Sequence, residues 1–230
     1  MTPVDPSLSP PAESIFPEPL FREDPSLPRR ERDKLLQRAR MLAAALELFS
    51  EKGFHNVSMQ EIAHRAEYAT GTLYGFFASK EDLYRALMLD LSGRMEAALG
   101  AALGQGRDEM DKIGRYLQAK GRVFRDNLNL VRLYFAEARG ASFNLKTGPD
   151  RDLWRAYERS LAALAEVFAA GIARGLFQAR DPYFLALALD SLANASLLSC
   201  VRDPERFRYE QVVETMTDIF FGAVKKDAET

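Results

Sequence analysis

Ser58–Lys80, SMQEIAHRAEYATGTLYGFFASK, decides how the rest of the chain is read. Ser58 followed three residues later by Glu61 is a capping box, so a helix starts at Met59. Met59, Ile62, Ala63 and Ala66 recur at helical spacing and form its inner face. The apolar pattern breaks at Glu67-Tyr68-Ala69 and resumes with Leu73 and Phe77, four residues apart. Ser79, with Glu81 and Asp82 behind it, caps a third and longer helix. Two short helices joined by a sharp turn form a helix-turn-helix, whose second helix enters the DNA major groove. Ala63 and Gly71 are expected to be small because the helices cross there. Ala69, Thr70, Thr72 and Gly75 fall nearer the outer face. Threonine hydroxyls can bond base edges and their methyls can touch thymine. The Tyr74 hydroxyl suits a phosphate oxygen, and Ser58 and Lys80 sit at helix N-termini, which attract anions.

Upstream, Leu35, Leu42, Leu46 and Phe49 mark one face of a helix over about 32–52, stopped by Gly53. Arg29, Arg30, Arg32, Lys34, Arg38 and Arg40 oppose only Glu31 and Asp33, a local charge of +4. Such a run follows phosphates or is simply a solvated helix face. The whole chain carries −2, so any nucleic-acid footprint is local.

These residues also resemble a known family. Ala44–Phe54 (A-A-x-x-L-F-x-x-x-G-F), Ser58–Ala63 (S-M-x-x-I-A) and Gly71–Leu83 (G-T-L-Y-x-x-F-x-S-K-E-x-L) are similar to the DNA-binding domain of TetR-type transcriptional regulators. The resemblance implies a homodimer on a palindromic double-stranded operator that responds to a small-molecule effector. It implies that Thr70 and Thr72, with Ala69 and Gly71 beside them, face the bases, that Gln60 reaches a base, and that Ser58, Tyr74 and Lys80 hold phosphates. The family's turn usually reads Gly-Val-Ser. Glu67 in its place costs about 1 kcal/mol if the backbone is left-handed, and Ala69 supplies no capping oxygen. Tyr68 is either a packed support or an added DNA contact.

The fold expected is all-α: an N-terminal three-helix helix-turn-helix domain over 29–80, then a larger helical ligand-binding and dimerisation domain over 81–226. Residues 1–28 hold eight of the eleven prolines and read as a flexible arm, with 227–230 as a tail. Helices are expected near 81–103, 108–126, 128–140, 150–175, 182–201 and 205–225. Asp181-Pro182 and Asp203-Pro204 serve as cap-plus-first-residue starts.

In the larger domain, Ala186, Ala193 and Leu197, with Val213, Met216 and Phe220 on the final helix, are expected to form a four-helix dimer interface or, failing that, an intrachain core. Phe124, Phe135, Trp154 and Tyr157 line a ligand pocket or belong to the core. Asn194, an amide in an apolar stretch, needs a partner. The single cysteine, Cys200, allows no intrachain disulfide. No catalytic constellation, metal cluster or cofactor motif is evident, so neither an enzyme nor a cofactor is expected. The competing readings are a helical protein-interaction module or a helical enzyme without DNA binding. No uninterrupted apolar run reaches membrane-spanning length, and a cytoplasmic protein without a membrane partner is expected.

Overall fold

The computed structural model describes residues 26–133, 150–203 and 205–224. Along these residues run α1 (Arg29–Lys52), a 3₁₀ turn (Phe54–Asn56), α2 (Met59–Arg65), α3 (Thr70–Tyr74), α4 (Lys80–Gln105) and α5 (Glu109–Asp126). Then follow α6, described over 128–133, and α7 (Arg151–Ala173), α8 (Pro182–Arg202) and α9 (Tyr209–Val224). The described residues contain no strand, and the fold is all-α. The N-terminal arm (1–25), Phe135 and the other residues of 134–149 lie outside the described residues.

Packing divides the chain into two compact units. The first runs to Leu87 and takes in the segment from Asn129; the second holds Met88–Leu128 and the C-terminal helices. The division therefore falls inside α4, and again after Leu128, just beyond the break that Asn127 makes between α5 and α6. Asn127 bonds the Val123 carbonyl through its side chain (2.9 Å), ending α5 there.

In the first unit, Leu42, Leu46 and Phe49 of α1 are buried together with Ile62, Leu73, Phe77 and Leu83. Leu35, expected on this inner face, is exposed, because α1 begins at Arg29 and its first turns lie beyond the core. Gly53 adopts φ 80°, and its N–H bonds the Phe49 carbonyl (2.9 Å), which stops α1.

The second unit is built on α7 and α8, joined by α5, α9 and the later part of α4. Phe168 of α7 packs against Phe177 and Phe220 at 5.6 and 5.7 Å between ring centroids. A Cβ on Gly171 would lie 2.2 Å from the Phe177 ring, so only glycine admits that ring. Asp108, Asp150 and Asp181 cap α5, α7 and α8 through their carboxylates. The final helix begins at Tyr209, four residues later than expected. Asp203 does start a turn, with Arg206 N–H on its carboxylate at 3.1 Å and Phe207 N–H on its carbonyl at 3.0 Å. That turn is not continued, and a new helix starts beyond it.

Five of the six expected dimer residues have another role. Ala186, Ala193, Leu197, Met216 and Phe220 are buried within this chain; only Val213 is part-exposed. The small side chains let α8 approach its own neighbours closely. α8 is also long and apolar enough to cross a membrane, by length and composition alone. Its central Asp190 is buried and paired with Lys120 of the same unit.

Candidate nucleic-acid interface and effector region

The turn between α2 and α3 keeps regular geometry despite its residues. Glu67 has φ 61°, the only non-glycine with positive φ among the described residues. Its N–H bonds the His64 carbonyl (3.1 Å), and Tyr68 N–H bonds the Ala63 carbonyl (2.9 Å). These two bonds define a Schellman motif, with glutamate where glycine is preferred. Ala69 precedes α3 with no side-chain cap. The chain bears the local cost and retains the turn.

Around this turn α2 is locked to α1. Arg65 reaches Glu47 at 3.2 Å and Glu51 at 3.1 Å, and Lys52 reaches Glu61 at 2.8 Å. The Lys52 ammonium, followed by the Ser58 backbone N–H, holds the Glu61 carboxyl down at about 2. Arg65 likewise lowers the Glu51 carboxyl. The Ser58 hydroxyl accepts from the Glu61 N–H (3.2 Å) and donates to the Glu61 carboxylate (2.8 Å). Ser58 is thus a helix cap with its proton committed, not a phosphate anchor.

Lys80 is corrected in the same way. Its ammonium donates to the Phe54 and Val57 carbonyls at 2.7 and 2.9 Å, lies 3.4 Å from the His55 carbonyl, and sits 4.5 Å from the Phe54 ring centroid. Three donors meet three carbonyls, which leaves none for a phosphate. Lys80 clamps the 3₁₀ turn between α1 and α2.

Helix crossing does not account for Gly71. A Cβ built there meets nothing within 4 Å, so the protein's own packing does not require glycine. With Leu73 and Phe77 buried, the opposite side of α3 presents Gly71, Thr72 and Tyr74 to solvent, Tyr74 at 49% exposure. Thr70 is half-buried, while Ala69 and Gln60 are exposed nearby. Tyr68 is half-buried. From the basic run, Lys34 and Arg38 lie over the Phe76 and Phe77 rings at 5.9 and 5.3 Å. Those two side chains therefore have an intrachain role as well as their charge.

In the second unit the structure brings together residues that sequence reasoning found and missed. Asp190 accepts from Tyr116 (2.7 Å), from Asn194 (2.9 Å) and from the Lys120 ammonium, and its charge also acts on the Tyr157 phenol. Burial drives the Lys120 ammonium pKa down, against the pull of Asp190. Burial, then the Asp190 charge, raises the phenols of Tyr116 and Tyr157. Trp154 lies 5.7 Å from Tyr157 but is half-exposed. Asn194 thus has an intrachain partner, and Tyr157 lies within reach of the same charge. Lys120, Asp190 and Tyr116 were missed, although Asp190 is the lone charge between Tyr183 and Val201.

Phe124 belongs elsewhere in this unit. It lines a cavity of about 500 Å³ with Leu128, Leu197, Val201, Phe207 and Tyr209. Arg125, Arg208, Glu210 and the Cys200 thiol complete the wall. Burial pushes the thiol pKa up, which keeps it protonated and apolar in character. Tyr209 donates to the Gln118 carbonyl (3.2 Å) and covers Gly121, where a Cβ would fall 1.5 Å from its hydroxyl.

A capped, ion-paired helical support carrying a short helix with an uncommitted polar face is a helix-turn-helix DNA-binding unit. Residues 41–87 match the family described as bacterial regulatory proteins, tetR family. Residues 41–87 are therefore a DNA-binding domain similar to those of that family. The transcriptional regulator UidR of Escherichia coli (strain K12) is 50% identical over 52 residues, 23% of this chain and 26% of that protein. The chain therefore spans about a quarter of the length of the curated relatives it matches first. Likeness of fold extends much further. The transcriptional regulator FadR of Bacillus subtilis, in complex with stearoyl-CoA, superposes with TM-score 0.68 at 17% identity, over 79% of this chain and 96% of that one. A protein of Saccharomonospora viridis in complex with choline gives 0.66 at 22% identity, over 84% and 99%.

Proposed function

We propose that the chain is a cytoplasmic transcriptional regulator: a homodimer that binds a palindromic operator and acts as a repressor released by a small-molecule effector. The observation that carries this reading is the uncommitted outer face of α2 and α3. Neighbouring charges and caps are committed to intrachain partners, whereas Gln60, Gly71, Thr72 and Tyr74 stay exposed. Thr72 and Gln60 read base edges, Tyr74 holds a phosphate, and Gly71 lets the backbone come close to the groove. Exposed arginines of the Arg29–Arg40 run add sequence-independent attraction to phosphates.

The dimer reading moves from the buried stripe to the outward side of α8 and α9. There Phe184 is 64% exposed, Ile219 is 61% exposed, and Ala195 is exposed. Apolar side chains in that position are best covered by a second copy, which would supply the two-fold axis that a palindrome requires. Effector binding is assigned to the second unit, which carries the cavity described above. Two proteins of the same fold are complexed with chemically unlike ligands, an acyl-CoA and choline, so the fold leaves effector chemistry open.

Selection of random duplexes by the purified full chain tests the reading. Enrichment of a palindrome with half-sites one helical turn or a multiple apart is expected. Enrichment of no sequence by a folded, dimeric protein would end it. Ala195→Arg should yield a monomer by light scattering that keeps its helical content and loses operator affinity.

A further inference from the structure

The cavity among the ends of α5, α8 and α9 carries a more specific reading, which rests on the regulator function proposed above. Its body is lined by Phe124, Leu128, Leu197, Val201, Phe207 and the Tyr209 ring, so it favours an apolar occupant. Charge enters the wall at only three residues, Arg125, Arg208 and Glu210. Arg125 already faces Asp126 at 3.4 Å and Glu210 at 3.9 Å, and lies 5.7 Å from the Tyr209 ring. Arg208 forms no ion pair among the described residues. The wall therefore holds one unbalanced positive charge beside an apolar interior. An ammonium ligand would meet two guanidiniums against a single carboxylate, Glu210, that already faces Arg125, and a neutral one would leave Arg208 unused. A carboxylate would gain a two-pronged, charge-assisted partner.

We infer that this cavity is the effector site and that it takes an amphipathic monocarboxylate, with its apolar body among the aromatic walls and its carboxylate on Arg208. Tyr209 is a positioning residue held in place by the Gln118 carbonyl and by the absence of a side chain at Gly121. Leu128, on the wall, is the last residue before the chain passes into the segment from Asn129 that packs with the DNA-binding unit. An occupant touching Leu128 can therefore bias that segment, provided its affinity differs between the DNA-competent and DNA-incompetent states.

The test uses the full chain, titration calorimetry and two matched probe sets. One is dodecanoate, dodecylammonium and dodecanol, each kept monomeric; the other is 2-naphthoate and 2-naphthylmethylammonium. In at least one set the carboxylate should bind about tenfold tighter than the matched amine. Arg208→Gln, an exposed change that should not disturb folding, should remove that advantage and leave dodecanol binding unchanged. Val201→Trp, checked for unaltered melting, should abolish binding of the acid by filling the cavity. The inference is overturned if neither acid binds, if the amine equals or beats the acid, or if Arg208→Gln has no effect. Selected operator DNA separates this failure from failure of the parent reading. A protein that selects a palindrome but ignores both acids refutes only the effector site. One that binds acid but no DNA refutes the effector role together with the regulator function.

Discussion

Removing the Lys80 ammonium should weaken the DNA-binding unit without changing how its DNA affinity responds to salt. Lys80 lies at 2.7 and 2.9 Å from two backbone carbonyls, with the Phe54 ring at 4.5 Å. A hydrogen bond from a charged group contributes about 1.5–3 kcal/mol when buried, and this site is part-buried, so the lower end applies to each. The cation–ring contact adds ~0.5–1 kcal/mol. In the Lys80→Ala variant water can reach the freed carbonyls and recover part of that. The net loss expected is about 2–3 kcal/mol, a fall in melting temperature of roughly 5–10 °C for a chain of this size. Amide hydrogen exchange should quicken first over Phe54–Val57. The salt measurement decides between roles. A phosphate contact contributes ~0.9 to the slope of log affinity against log salt, so a clamp predicts an unchanged slope on the selected operator. If melting is unchanged and the slope drops by about 0.9 for each half-site, Lys80 holds phosphate and the clamp assignment is wrong.

Other substitutions separate the remaining roles. Gly71→Ala should stabilise the fold by about 0.5–1 kcal/mol, since an exposed helical glycine costs that much, yet weaken operator binding. Equal or better binding would remove the close-approach argument. Glu67→Gly should raise stability by about 1 kcal/mol by relieving the left-handed backbone, read as a higher denaturant midpoint. Lys120→Met should cost about 3–5 kcal/mol by stranding Asp190, while the Lys120→Met/Asp190→Leu double change should recover most of it; equal losses in single and double variants would count against the pairing. Glu61 has a depressed carboxyl pKa, so its stabilising effect is complete above its ordinary 4.5 and is lost as pH falls toward about 2. Thermal melts of wild type and Glu61→Gln should accordingly converge across that window.

Local signals proved reliable where one side chain and its own backbone settle the outcome. The Ser58–Glu61 box, Gly53, Asp108 and Asp181 end or begin helices as their chemistry requires, and Leu73 and Phe77 turn inward as their spacing demands. Asp203 shows the limit, because a cap nucleates a turn without guaranteeing that it propagates. Site residues were less legible. Ser58, Lys80 and Asn194 are polar groups in the right places for ligands, but each found a partner that is near in space. For Lys80 that partner lies more than twenty residues away in sequence. Small residues in α8 marked close helix packing, but one chain cannot say whether the neighbour is its own or a second copy's.

The sequence alone determined the helical class, the placement of the helix-turn-helix and its family, because each rests on short-range spacing that survives in a string of residues. Tertiary structure alone decided which of its polar residues remain free. Lys80 bonds carbonyls behind it, Asp190 gathers Lys120, Tyr116, Tyr157 and Asn194, and Gly71 faces open solvent. Whether a donor is available to DNA or an effector depends on the acceptors that folding brings to it, and sequence distance does not record them.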